Sequence, residues 1–152
     1  MKKILLIILL ILFTGCSNSE DSMNLKIYKK YIDDLSKITE SSKNIPFDIA
    51  VQYSKLDDEE VMYQVIIDNP IEDIHSIEAI AIHDKETDDI FPSIGIFDDR
   101  EKLEVGKKPS GIILVGYLDY NGDINDFECE MKVLVKYKIN NINKKVYYVT
   151  KK

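Results

Sequence analysis

Phe127-Glu128-Cys129-Glu130-Met131-Lys132-Val133-Leu134-Val135-Lys136-Tyr137-Lys138-Ile139 is the stretch that decides the fold. Its odd-numbered positions are all apolar, and its even-numbered positions are charged except at Leu134. Successive side chains of an extended chain point to opposite faces, so this period of two builds a strand with one buried and one wetted face. Moving outward, the same period recurs. Phe47, Ile49, Val51 and Tyr53 alternate with Asp48, Ala50, Gln52 and Ser54. Val61, Tyr63, Val65 and Ile67 alternate again until Asp68-Asn69-Pro70 stops the strand. Residues 76–83 form a third strand with small residues on one face, and 91–97, interrupted by Pro92 and Gly95, suits a short edge strand. Residues 111–119 are apolar on both faces, with Ile112, Leu114 and Leu118 on one and Ile113, Val115 and Tyr117 on the other, so a central position is expected. Asn140 to Lys144 reads as a polar turn, and Val146 to Thr150 closes the domain.

About seven short strands with no helices between them are the pattern of an antiparallel sandwich. The expected fold is all-β, an antiparallel β-sandwich over residues 46–151. It resembles an immunoglobulin-like domain without the Cys, Trp, Cys core of antibody domains, since the chain has no Trp. Ahead of it the period changes. Leu25, Tyr28, Ile32 and Leu35 fall at the spacing of one helix face, predicting an amphipathic helix over residues 23–39. That helix is expected to pack on the domain or to act as a stalk. Residues 16–22 are polar and read as a tether.

The first sixteen residues specify location. Lys2 and Lys3 precede ten unbroken apolar residues, Ile4 to Phe13, followed by Thr14, Gly15 and Cys16. This is the layout of an export signal with a small-residue cleavage site over residues 1–15. The segment ending at Cys16 resembles the lipobox of bacterial lipoproteins, with Phe13 where Leu is usual. The resemblance implies that Cys16 carries a diacylglyceryl thioether, becomes the new N-terminus, and holds the domain on the extracytoplasmic side of the cell membrane. An uncleaved anchor or a plain secretory signal is the competing reading. Ten apolar residues fall short of the about 20 that a spanning helix needs, and a plain signal leaves a cysteine at the cut unexplained. The blocks 91–97 and 111–117 also resemble small exported lipoproteins of low-GC Gram-positive bacteria, a likeness that implies location and fold but no chemistry.

Removing residues 1–15 from the 152 leaves 137, enough for one domain with its own core. Two lysines leave and no acid does, so 18 basic residues face 27 acidic ones, a formal charge of −9 against −7 for the whole chain. Such a chain repels phosphate backbones, and no nucleic-acid partner is expected. With Cys16 lipidated, Cys129 is the remaining thiol, so no disulfide is available.

Chemistry is sparse. Cys129 falls on the inward face of its strand and reads as inert core. His75, assigned to a turn after Pro70, and His83, ending a strand, give no metal spacing and no triad. Carboxylates cluster at Asp57 to Glu60, Asp84 to Asp89 and Asp98-Asp99. They read as solvated turns, although paired acids in a cleft could do acid–base work. Asp119, Asn121, Asp123 and Asn125, with Glu130 at position twelve, resemble an EF-hand calcium loop. Ile124 stands where that loop needs Gly, and both flanks read as strands, so a hairpin turn is expected, with no calcium-specific stabilisation. No catalytic residue, metal site or cofactor is assigned. The favoured function is a non-enzymatic, membrane-anchored binding or accessory module for an unidentified protein or envelope partner. The alternative is an envelope hydrolase using the clustered carboxylates.

Overall fold

The computed structural model describes residues 19–87, 91–107 and 111–152, with helix side chains described from residue 22 onward. The elements are helix α1 (Ser19–Ser36) and eight strands: β1 (Asp48–Lys55), β2 (Glu60–Asp68), β3 (Ile74–His83), β4 (Ser93–Ile94), β5 (Glu101–Leu103), β6 (Ile112–Asp119), β7 (Glu130–Ile139) and β8 (Ile142–Lys151). All pairings are antiparallel. One sheet has the order β1-β2-β6. The other has the order β4-β3-β7-β8, with β5 also pairing β3.

One core joins the two sheets. Val61, Tyr63, Val65 and Ile67 of β2 and Leu114 and Leu118 of β6 meet Ile77, Ala79 and Ala81 of β3 and Met131, Val133, Val135 and Tyr137 of β7. The strict alternation of β7 supplies its half of that core. Gly116 lies opposite Tyr63 in the β2–β6 register, and a Cβ there would run into the Tyr63 ring. Glycine is therefore the residue that lets this buried ring lie across the strand.

Leu134 is the apolar residue on the other face of β7. It is buried in a second cluster with Ile80, Ile82 and Ile96 beneath Tyr28, Tyr31 and Leu35 of α1. The helix thus covers the outer face of the second sheet, and β3 and β7 are buried on both sides. The packed stripe is Tyr28, Tyr31 and Leu35, with Ile27 and Ile32 beside it, whereas Leu25 is 46% exposed. The helix begins and ends earlier than its apolar period indicates. At its C-terminal end Ser36 Oγ folds back onto the Asp33 carbonyl at 3.0 Å, and Ile38 N reaches the Leu35 carbonyl at 3.1 Å.

Several expectations are corrected. Residues 112–119 form an edge strand, since among the described residues β6 pairs only with β2, and their second apolar face is exposed at Ile113, Val115 and Tyr117. The segment from Asp119 to Glu130 is no hairpin turn. It carries the chain from β6 in one sheet to β7 in the other. His75 lies within β3 rather than in a turn, because β3 starts at Ile74 and absorbs a bulge around Ser76, whose φ is 53°. Asn140 and Asn141, at φ 50° and 62°, form a two-residue turn of the kind that suits strand twist. Hence β8 starts at Ile142, earlier than the polarity of 140–144 implies. The connection 100–107 also holds a short strand, β5, whose Leu103 is buried.

Candidate functional site

The residues singled out from the sequence do not converge. Cys16 and the segment 1–15 lie outside the described residues, as do Asp88 and Asp89. Among the described residues no helix is long and apolar enough to cross a membrane. His75 is exposed at one end of β3 and His83 lies at the other, roughly 25 Å away at strand rise. The His83 ring sits edge-on to Tyr63 and Phe91, at 5.6 and 5.2 Å between centroids. Cys129 is buried, and its thiol donates to the Glu130 carbonyl at 3.7 Å. Burial pushes that thiol up to about 11 and the neighbouring Tyr53 phenol above its ordinary range. A thiol held neutral in this way is a poor nucleophile.

The acidic turns are exposed and separate. Asp57 caps its own turn by accepting from the Glu59 amide at 2.8 Å. Asp84 Oδ1 accepts from the Glu130 amide at 3.0 Å. In the segment 119–130, Asp123 Oδ1 accepts from the Asn125 amide and side chain at 2.8 and 2.9 Å. Glu130 pairs with Lys151 at 2.8 Å and Lys132 at 3.3 Å. Asp123, Asn125 and Glu130 are therefore drawn into local bonds of their own, and no group of three His, Cys, Asp or Glu able to hold a metal occurs among the described residues. Two carboxyls are shifted away from what acid catalysis needs. Lys107 beside Glu104 and Lys151 beside Glu130 hold those carboxyls below their ordinary value, whereas a general acid needs the opposite. A shallow depression of about 490 Å³ is lined by Glu59, Asp119, Tyr120 and Asn121, but its acids are exposed to water.

Two features stand out instead. The first is the edge made by β6. On its outer face Ile113, Val115 and Tyr117 are 52%, 39% and 45% exposed, and their cross-strand neighbours on β2 are Ile66, Gln64 and Met62. Eight residues of backbone edge run beside this stripe without a Lys, a Pro or a bulge. The edges of the other sheet are blunted by the usual means. Strand β8 carries Lys144, Lys145 and Lys151, and Ser41 and Ser42 clasp it through bonds to the backbone of Tyr147 and Val149 at 2.8–3.2 Å. Strands β4 and β5 have two and three residues. Strand β1 turns Asp48, Ala50, Gln52 and Ser54 outward.

The second feature is a cationic groove where β3, β7 and β8 meet, and Glu78 is its centre. Arg100 lies 2.5 Å from Glu78 Oε1 and Lys136 lies 3.6 Å from Oε2. The Tyr31 hydroxyl donates to Oε2 at 2.7 Å and accepts from Lys136. Burial and Glu78 raise the Tyr31 phenol above its ordinary range. Sequence reading missed both features, because Glu78 and Tyr31 carry no motif and an exposed apolar strand reads like a buried one. No protein-family model, curated protein or solved structure matches the chain.

Proposed function

We propose that this chain is an extracytoplasmic lipoprotein, held on the cell membrane through a diacylglyceryl group on Cys16, whose domain is a non-enzymatic binding module. Its occupant is an extended segment of a partner protein, added as a strand along β6. The β6 edge is the observation that carries this reading. An unpaired strand edge offers main-chain donors and acceptors for affinity, and alternate side chains beside it give specificity. Natural sheets blunt such edges unless they are used; β8, β4 and β5 are blunted, and of the two full-length edges left, β1 turns a polar face outward whereas β6 turns an apolar one. The partner segment has apolar residues at every second position, to lie against Ile113, Val115 and Tyr117.

The same reading takes the domain as an immunoglobulin-like sandwich. The orders β1-β2-β6 and β4-β3-β7-β8 support it, because they read as A-B-E and C′-C-F-G in the lettering of that fold. The lipobox-like segment ending at Cys16 supports the anchor. Three measurements test the proposal. Cys16→Ala leaves the precursor unprocessed or releases the protein to the aqueous phase; a parent chain already wholly aqueous overturns the anchor. A photocrosslinking residue at Val115 captures a partner in intact cells, whereas one at Gln52, on the opposite edge of the same sheet, does not. Val115→Lys, which blunts the edge without entering the core, abolishes partner binding. Equal capture from both positions overturns the assignment to β6, and capture of a second copy of the chain reassigns the edge to self-association.

A further inference from the structure

The cationic groove runs against the charge of the molecule that carries it. The chain has a net charge of −7, yet the β7–β8 hairpin holds Lys132, Lys136, Lys138, Lys144, Lys145 and Lys151 with Glu130 as its only acid. At the turn end of this hairpin lies a cavity of about 340 Å³, lined among others by Ser76, Glu78, Arg100, Lys136, Lys138 and Lys144. The single carboxylate there, Glu78, is already bonded to Tyr31, Arg100 and Lys136. Among the described residues no carboxylate lies within ion-pair distance of Lys138 or Lys144. Two ammonium groups therefore flank a concave surface with their charge uncompensated, while Arg100, 53% exposed along its side chain, adds a guanidinium fork. A larger depression continues past Lys144 to Lys145 and Lys43, with Glu72 as the one acid of its lining. At physiological ionic strength charges beyond roughly 8 Å are largely screened, so the distant acidic turns do not cancel this local field.

The backbone adds a second mark. Ser76 is held at φ 53° in the β3 bulge that floors the groove. Non-glycine residues in this conformation cost energy, and they cluster where ligands bind. We propose that the groove is a binding site for a phosphate group, held by Lys138 and Lys144 with Arg100 and the Ser76 region around it. The site does not depend on the anchor or on the β6 reading; only the source of the phosphate does. Lys132 bonds the Ser36 carbonyl and Lys136 the Tyr31 hydroxyl, so α1 traced backwards follows β7 toward its hairpin end. The described chain thus begins, at Ser19, on the groove's side; with the proposed anchor a lipid headgroup is one source of the phosphate, and a free phosphate is the other.

The test uses the full chain in non-ionic detergent micelles, followed by amide NMR. Inorganic phosphate and glycerophosphoglycerol, the soluble diester headgroup of phosphatidylglycerol, are titrated separately against chloride at matched ionic strength. Saturable shifts are expected at Ser76, Lys138, Asn143 and Lys144, with little change at Val133 and Val135. The double variant Lys138→Glu, Lys144→Glu should weaken them by about ten-fold or more, since charge-assisted bonds carry most of such binding. Preservation of the Val133 and Val135 signals in that variant separates lost binding from lost folding. Tighter binding of the diester assigns the site to lipid headgroups, and tighter binding of inorganic phosphate assigns it to free phosphate. Shifts equal to those with chloride, or unchanged in the double variant, overturn the site.

Discussion

Leu134 breaks the alternation of its strand, and that single departure records a whole layer of the structure. An apolar side chain on the wetted face of β7 needs a cover, and α1 supplies it through Tyr28, Tyr31 and Leu35. Leu134→Ala should cost about 2–5 kcal/mol, the range for emptying a buried leucine site. Urea denaturation measures this, and a loss below about 0.5 kcal/mol, the size of an ordinary surface change, would sink the double-sided burial of β7. The exception is legible in the sequence. Its partner Tyr31 is not, because a tyrosine serves equally on a wet or a dry face. Cys129 is the converse case, since inward alternation alone marks it as buried. Its thiol, raised by burial to about 11 from an ordinary 9.0, stays protonated at pH 8. In a Cys16→Ser chain, where it is the sole thiol, Ellman's reagent should react slowly with the native protein and fully in denaturant. Fast native reaction would show an open pocket at Cys129.

At the scale of elements, the strands are legible and their neighbours are not. Alternation reports that a face is apolar, not what covers it. For β7 and β3 the second apolar face lies under a helix; for β6 it meets water at Ile113, Val115 and Tyr117. Sequence reading gives β7 a wetted second face and β6 a covered one, and so puts β6 in the middle of a sheet. The turn at 140–141 was obscured for another reason. Asn143, Lys144 and Lys145 look like loop residues, but they lie in an edge strand facing solvent, where polarity is allowed. What marks the turn is conformation, with two asparagines at positive φ. Asn141→Val should destabilise the domain by about 1–2 kcal/mol, the cost of a left-handed backbone for a substituted residue. Asn141→Gly should lack that strain. Equal stability of the two variants in chemical denaturation would refute the left-handed turn. The candidate sites escaped the sequence for the same geometric reason. Glu78, Arg100, Lys136 and Tyr31 are distant in the chain, and only the β3–β7 register and the helix docking unite them.

For the whole molecule the charge distribution sets the pH range of stability. Glu104 and Glu130 ionise below their ordinary value because lysines hold their charged forms. A depressed folded pKa contributes stability that is present above the unfolded value and lost as pH falls through the folded one. The Cys129 thiol acts in the opposite sense. Its contribution is complete below 9.0 and lost as pH rises through about 11. The melting temperature should hence form a plateau around neutrality, falling at both ends. Glu130→Gln should soften the acid limb slightly, since exposed ion pairs are weak, and Cys129→Ala should soften the alkaline one. An acid limb unchanged by Glu130→Gln would mean that the Lys151 pair contributes nothing. The Ser41–Ser42 clasp on β8 has a mechanical consequence. A chain held at its N-terminus and gripped on β6 transmits any pull through α1, then the clasp, and only then into β1. The helix peels from one sheet face contact by contact, and the clasp consists of a few bonds that can part in turn. The β1–β2–β6 ladder, by contrast, loads all its rungs together. Under tension in a single-molecule trace, a short early extension from the release of residues 19–47 should precede rupture of the sheets. The domain would then stand off its attachment point on an extra length of unfolded chain, with the gripping edge still intact. A single rupture event, with no early extension, would show that helix and sheets yield as one unit.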